Sequence, residues 1–431
     1  MTNIGVICPI LAGHLNPMIA ISKELRNRGH KVTFFQIPDA EVKILGSGLE
    51  FCSIGENNFP LGTWPKFLKQ LEQYKGLKAT LYWHEESKRM VDTICFYAPK
   101  AMRDKGIEML LVDQMEPSGA LVAEYLDIPF VTVCNSLTMI RENSIPPAFT
   151  PWSYQNNRLG RWRNIMAYSL SAQFLKPIKA IFTDYRRRWN LPPNNLDDIF
   201  LNSTLAQISQ QPPDFEFPRS FVPDCFHYLG PFRDASPQNV KFPYERLNNQ
   251  PLIYASLGTM QTNKYDLFYT IADACRELDV QLVLSHGGGL DQSLVDSLPG
   301  EHLVVGYAPQ LELLEKAKLT ISHGGLNTVL DSLSNGVPLV TMPIAFEQPG
   351  IAARVQWTGT GNVISPSHLT VSELRKNIEQ VMGNTSYYDN ATNLQKSIKK
   401  AGGAKRAVNV IEQVIATGKP VLNNNSLDKD L

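Results

Sequence analysis

Short apolar runs alternate with segments of helical spacing along both halves of the chain. Residues 4–9 form the first run, and Gly13-His14-Leu15-Asn16-Pro17 breaks it. Residues 18–28 then place Ile19, Ile21 and Leu25 on one helical face, Gly29 closes that helix, and 31–37 (KVTFFQI) reads as a second strand. Strand–helix–strand units of this size predict a parallel sheet with right-handed crossovers. The pattern recurs as a strand at 109–113 (MLLVD), a helix at 118–126 and a strand at 130–134 (FVTVC). Residues 141–235 interrupt it with Pro, Trp, Tyr and Arg, and 236–250 turns polar around Pro237 and Pro243, as a linker does. A second series follows at 252–257, 281–285, 303–305, 319–322 and 339–342.

The expected architecture is α/β, with two Rossmann-like halves facing each other across a cleft where the carboxyl ends of both sheets meet. Residues 1–235 are assigned to an N-terminal Rossmann-like domain, 236–250 to the linker and 251–402 to a C-terminal Rossmann-like domain. Residues 403–420 are expected as a helix packing back across the domains, and 421–431 (VLNNNSLDKDL) as a frayed tail.

Length supports the division, since 431 residues exceed one ordinary core and suit two domains of roughly 200. With 41 basic and 41 acidic side chains the net charge is zero, so no global field points to nucleic acid. The cysteines at 8, 52, 95, 134, 225 and 275 form no Cys-x-x-Cys pair, which suits reduced thiols better than a disulfide frame or a zinc site. The opening MTNIGVICPILAGHLNP has no basic leader, and no run approaches the ~20 apolar residues of a membrane span. A cytoplasmic protein is expected.

The chemistry concentrates in 306–354. Residues 319–322 read as a buried strand, His323-Gly324-Gly325 as a tight turn, and 327–334 as the helix that follows. A glycine turn feeding a helix start presents free backbone N–H groups and a positive dipole end, which together bind anions. His323, Asn327 and Thr328 add donors there, so a diphosphate can be held without a metal. His286-Gly287-Gly288-Gly289 is a second glycine turn on the same side, read as a flexible loop rather than a ligand contact.

The order Tyr-Ala-Pro-Gln at 307–310, His-Gly-Gly-x-Asn-Thr-x-x-Asp at 323–331, Gly-Val-Pro at 336–338 and Glu347-Gln348 resembles the donor signature of family 1, UDP-sugar-dependent glycosyltransferases. The form looks bacterial, because Leu326 stands where plant enzymes have Trp and the 310–323 interval is shorter than theirs. The wording of 323–355 is similar to zeaxanthin glucosyltransferases of carotenoid-making bacteria. The resemblance implies a GT-B fold and a UDP-sugar co-substrate. It has Tyr307 stacking on the base, Ala308 meeting the base edge, and Gln310 and Asp331 holding the ribose. His323, Gly325, Asn327 and Thr328 would take the diphosphate, Gly258-Thr259 would approach it from the other side, and Glu347 and Gln348 would bind the sugar hydroxyls. Asp331 for Glu and Glu347 for Asp depart from the commonest plant pattern, shortening the ribose contact and altering which sugar fits.

His14, after the first strand, matches the family's catalytic histidine, and Asp113, ending MLLVD, matches its orienting carboxylate. A histidine suits proton abstraction near neutral pH, and a partner carboxylate fixes its tautomer. No Asp-x-Asp or acid cluster stands in the cleft segments, so no metal is expected.

Phe59, Trp64, Phe67, Tyr74, Tyr82, Trp83 and Phe149 are candidates for a greasy acceptor wall, several of them equally readable as core. Residues 152–189 carry Arg158, Arg161, Arg163, Lys176, Lys179, Arg186, Arg187 and Arg188 against the single acid Asp184, interleaved with aromatics. That stretch suits an anionic membrane surface, the cap of an apolar pocket, or a solvated face. A monomer is favoured. A sugar-nucleotide epimerase or hydrolase, or a non-catalytic binder of apolar ligands, stands as the alternative. A Rossmann dehydrogenase is disfavoured because GHLNP replaces Gly-x-Gly-x-x-Gly after the first strand.

Overall fold

The computed structural model describes residues 1–74, 76–193, 200–234, 240–258 and 264–423. Among them are two parallel sheets. The first contains β1 (Asn3–Ile7), β2 (Lys31–Gln36), β3 (Glu50–Ser53), β4 (Met109–Asp113), β5 (Phe130–Cys134), β6 (Gln207–Ser209) and β7 (Phe226–Tyr228), in the spatial order β3-β2-β1-β4-β5-β6-β7. The second contains β8 (Leu252–Ser256), β9 (Gln281–Ser285), β10 (Leu303–Val305), β11 (Ala317–Ser322), β12 (Leu339–Thr341) and β13 (Gly361–Val363), in the order β10-β9-β8-β11-β12-β13. Nearly every central-strand residue is buried, as covering both faces of a parallel sheet requires. The three-residue strands β6 and β7 lie in the stretch that read as irregular, too short to leave a periodic signal.

The strand order reverses between β1 and β4 in one sheet and between β8 and β11 in the other. Such switch points leave a crevice beyond the carboxyl ends of the strands. His14 follows β1 and Asp113 ends β4; Gly258 follows β8 and His323 follows β11. Both sheets thus deliver their chemistry to their switch points.

The helix after β1 runs Ala12–Asn27, so His14 lies in its first turn and not in a preceding loop. The cause of the misreading is Pro17, which lies inside the helix. Proline removes the N–H that would bond the carbonyl four residues back, and that carbonyl, of Gly13, instead accepts from Asn327 Nδ2 at 3.1 Å. A helix defect near the start thus becomes a hydrogen bond between the two halves.

The C-terminal helix Gly403–Thr417 buries Ala407, Val408, Ile411 and Val414 in the N-terminal core, against Leu25 and its neighbours. Arg28 adds an ion pair to Glu412 at 2.8 Å. The expected tail begins later than residue 421. Val421 is buried, its N–H donates to the Leu205 carbonyl, and its own carbonyl meets His227 Nε2 at 2.9 Å. One apolar side chain and two backbone bonds suffice to pin it there. Residues 424–431 lie outside the described residues.

Candidate active site

A cavity of about 890 Å³ opens between the sheets and is lined by both halves. His14 Nδ1 meets Asp113 Oδ2 at 2.8 Å. Asp113 is wholly buried and accepts two further bonds, from the Met115 N–H at 2.8 Å and from Asn135 Nδ2 at 2.7 Å. Three donors converge on one carboxylate, so it is fixed in place and orients the imidazole. Burial pulls the His14 pKa down, but the Asp113 charge and hydrogen bond, helped by Glu347 and Glu116, outweigh it and hold the imidazole above its ordinary 6.5.

Glu116, three residues beyond Asp113, also lines the cavity and was missed by sequence reasoning. Burial pushes its carboxyl up to about 7, with the Asp113 charge adding and the Ser118 hydroxyl, at 2.5 Å, opposing.

On the facing side, the His323 ring is packed between two glycines. A Cβ at Gly258 would stand 2.8 Å from its Cε1, and one at Gly325 would stand 2.6 Å from its Nε2. Gly258 also has φ +73°, so both space and backbone demand glycine there. Burial drives the His323 pKa down to about 4, which keeps the ring neutral at physiological pH. Gly325 is the N-cap of the helix Leu326–Ser334, and Thr328 lines the cavity in its first turn. Free N–H groups, a dipole end and a neutral imidazole together suit an anion.

Gln310 Nε2 donates to Asp331 Oδ2 at 2.6 Å, and its Oε1 accepts from the Tyr254 hydroxyl at 3.2 Å. Arg233 pairs with the other oxygen of Asp331 and donates to the Asn327 carbonyl at 3.1 Å. Gln210 accepts from Arg233 at 3.1 Å and donates to Asn327 Oδ1 at 3.0 Å. The Asn327 amide therefore spans the cleft to Gly13 and Gln210 in this structure. Arg233 and Gln210 are residues the sequence did not suggest, and no local motif marks them.

Tyr307 is exposed, lines the cavity and lies against Gly288; Ala308 and Gly287 line the same wall. His286 stays in its own turn, its Nδ1 accepting from the Leu290 N–H at 3.0 Å. Glu347 lines the cavity, as does Gln348, whose Oε1 is spent on the N–H groups of Ile344 and Ala345. Phe346 precedes them at φ +56°, an uncommon conformation for an aromatic. Its ring meets Trp83 edge-on at 5.2 Å, closing an aromatic contact from one half to the other. Thr259 lies outside the described residues.

Of the acceptor candidates, Trp64, Phe67 and Trp83 line the cavity. Tyr82 stacks on Phe67 at 5.1 Å and backs the wall without lining it. Phe59 is a correction: it is fully buried in the N-terminal core, with the Arg89 guanidinium 4.1 Å over its ring. Phe149 is exposed and takes no part in the lining. Met90, Val91, Leu175 and Ile178, from the helices Gly76–Asp104 and Arg158–Arg188, complete the apolar end.

The basic stretch divides as well. Arg186 is buried and makes a two-pronged pair to Glu124 at 2.5 and 2.7 Å, and Arg187 and Arg188 both pair with Asp184. Those three arginines serve the fold and their own helix.

The sequence profile of the UDP-glucoronosyl and UDP-glucosyl transferase family matches residues 6–416. A zeaxanthin glucosyltransferase of Pantoea ananas is 36% identical over 99% of both chains. One of Pseudescherichia vulneris is 30% identical over 98% of this chain and 100% of its own. The solved calicheamicin glycosyltransferase CalG4 superposes with a TM-score of 0.74 at 21% identity, covering 97% of this chain and 100% of that one. Likeness at that level bears on the fold alone, which is the two-domain GT-B arrangement.

Proposed function

The chain belongs to the UDP-glucoronosyl and UDP-glucosyl transferase family, and we propose that it moves glucose from UDP-glucose onto a hydroxyl of a carotenoid-like alcohol. It is a glycosyltransferase. The observation that carries the finer reading is the opposition, across one cavity, of the His14–Asp113 pair and the glycine-flanked cradle at His323, with an apolar end beside them.

In this reading the acceptor hydroxyl lies against His14 Nε2, which takes its proton as the oxygen attacks the anomeric carbon. The bond to UDP breaks on the opposite face, so the product is inverted. Asp113 supports the imidazolium, and the start of the helix Leu326–Ser334 takes the departing diphosphate charge. Gln310 and Asp331 hold the ribose, Tyr307 covers the base, and Glu347 and Gln348 meet the sugar. Arg233 fixes the Asp331 carboxylate from the other half. No metal is needed, because dipole and N–H donors supply the positive field. The enzyme works in the cytoplasm, touching the membrane that dissolves such an alcohol.

The test is nucleoside diphosphate release from UDP-glucose or TDP-glucose with a xanthophyll, a flavonol, a simple phenol and no acceptor, with and without EDTA. Release that requires the xanthophyll, prefers UDP and survives EDTA is expected. Release without any acceptor would overturn transfer in favour of hydrolysis, and loss with EDTA would overturn the metal-free mechanism.

A further inference from the structure

The outer face of the helix Arg158–Arg188 is apolar where a soluble helix is ordinarily polar. Leu159, Trp162, Met166, Leu170 and Phe174 recur at three- and four-residue spacing, so they form one stripe, and they are 45–78% exposed. The opposite face is also occupied, by Asn164, Ala167, Ile178 and Phe182, so the stripe is not a core face read the wrong way round. A second, shorter stripe lies on the helix Gly76–Asp104, where Leu77 and Leu81 are 64% and 53% exposed and His84 follows on the same side.

The stripes meet. His84 stacks on Phe174 with ring centroids 6.3 Å apart, and the Tyr185 hydroxyl bonds Asp92 at 2.8 Å. The helices therefore run side by side in one direction, which sets Leu77 and Leu81 alongside Leu170. The junction is at the cavity: His84, Leu175 and Ile178 all line its apolar end. An exposed apolar surface thus continues through an aromatic pair into the acceptor wall.

Charge decides what covers this surface. From 152 to 183 the sequence holds Arg158, Arg161, Arg163, Lys176 and Lys179 and no acidic residue. The acids nearest the junction, Glu85 and Glu86, pair with Lys88 and Arg89 on their own helix. Apolar side chains flanked by cations match a bilayer with anionic headgroups.

We propose that the outer face of Arg158–Arg188, with Leu77 and Leu81, docks on an anionic membrane surface and that the seam between the two helices, at the His84–Phe174 pair, is where the acceptor enters from the lipid. The idea rests on the lipophilic acceptor proposed above. It accounts for the apolar stripe continuing into the cavity, which a water-borne acceptor does not require.

The experiment uses the full chain and vesicles of phosphatidylcholine with and without phosphatidylglycerol, followed by flotation. Trp162→Glu with Leu170→Glu places two charges on the stripe without touching the cavity, and circular dichroism checks that the variant folds. The wild type should float with anionic vesicles, less at high salt, and the variant should bind at least tenfold more weakly. Transfer to an alcohol dissolved in the vesicles should fall with binding, while transfer to a water-soluble phenol stays unchanged. Wild type that does not float, or a variant that floats equally, overturns the proposal. So does a wild-type dimer that the variant breaks, which would give the face to a second copy. If no acceptor is glucosylated, the proposed function fails, and vesicle binding still decides the docking surface by itself.

Discussion

His14→Ala lowers the transfer rate by about 10²–10⁴-fold, the usual worth of a positioned general base, while leaving donor binding close to that of the wild type. The separation is expected because His14 lies beyond β1 of the first sheet, whereas the donor cradle is built from the second. Asp113→Asn should cost nearly as much, for a reason visible in its bonds. The carboxylate accepts from Met115 N–H, Asn135 Nδ2 and His14 Nδ1 together. An asparagine has one acceptor oxygen, so either the backbone anchor or the His14 tautomer is lost. If the tautomer goes, the proton moves to Nε2 and the base is blocked. The pH profile gives an independent check. Transfer needs neutral His14, and Asp113 together with Glu347 and Glu116 raises its pKa above 6.5. A raised pKa means the base is lost at a higher pH, so the acid limb of kcat/KM should lie above 6.5. Glu116, at about 7, titrates in the same range; its protonation removes a charge that raises the His14 pKa, so the limb should be broadened. A limb at or below 6.5, or undiminished transfer by His14→Ala, would remove His14 from its role.

What the sequence disclosed follows the range of the interactions. Strand–helix alternation is local, and β4, β5, β9 and β10 stand where the periodicity puts them, while β1 ends two residues sooner than expected. The His323 turn is local too, because two glycines and a helix start leave a short signature. Pro17 misled the reading of GHLNP, since its effect on the helix is absorbed by a residue over three hundred positions away. Arg233 and Gln210 were illegible for the same reason: their partners Asn327 and Asp331 come from the other half of the chain. Aromatic identity alone did not separate wall from core, and Phe59 and Trp64, five residues apart, went different ways. Nor did positive charge reveal which arginines had found a buried carboxylate, as Arg186 did with Glu124.

Arg354→Met should lower unfolding free energy by about 3–5 kcal/mol, because it strands a buried carboxylate. Arg354 is 1% exposed and lies on the helix Gln348–Trp357, directly after the proposed sugar-binding pair. Its Nε and Nη2 reach Glu216 Oε1 at 2.8 and 2.5 Å, and its guanidinium lies 4.4 Å over Phe217. Glu216 comes from the N-terminal half, so the pair clamps the two halves together beneath the cavity. At the same contact a Cβ on Gly350 would stand 2.0 Å from the Ala148 carbonyl, so the backbones touch there. Arg219, with Nε 3.3 Å from Glu216 Oε2, remains in the variant and keeps the loss toward the lower figure. Burial alone would raise the Glu216 pKa, but Arg354 and Arg219 prevail and hold it below 4.5. Its contribution is therefore present above the unfolded carboxyl pKa and is lost as pH falls through the folded one, so the variant and wild type should converge in strong acid. Replacing both partners, Arg354→Met with Glu216→Leu, removes the stranded carboxylate but takes from the buried Arg219 its ion-pair partner, so only part of the stability should return. The apolar pair also lacks the fixed geometry of the ion pair, so the donor KM should remain raised because Glu347 and Gln348 are less firmly placed. Thermal unfolding at pH 7 and at pH 3, read with donor kinetics, separates the two effects. An unshifted midpoint for Arg354→Met would show that the halves are held elsewhere, in the Leu137, Phe215 and Leu326 cluster that also spans them.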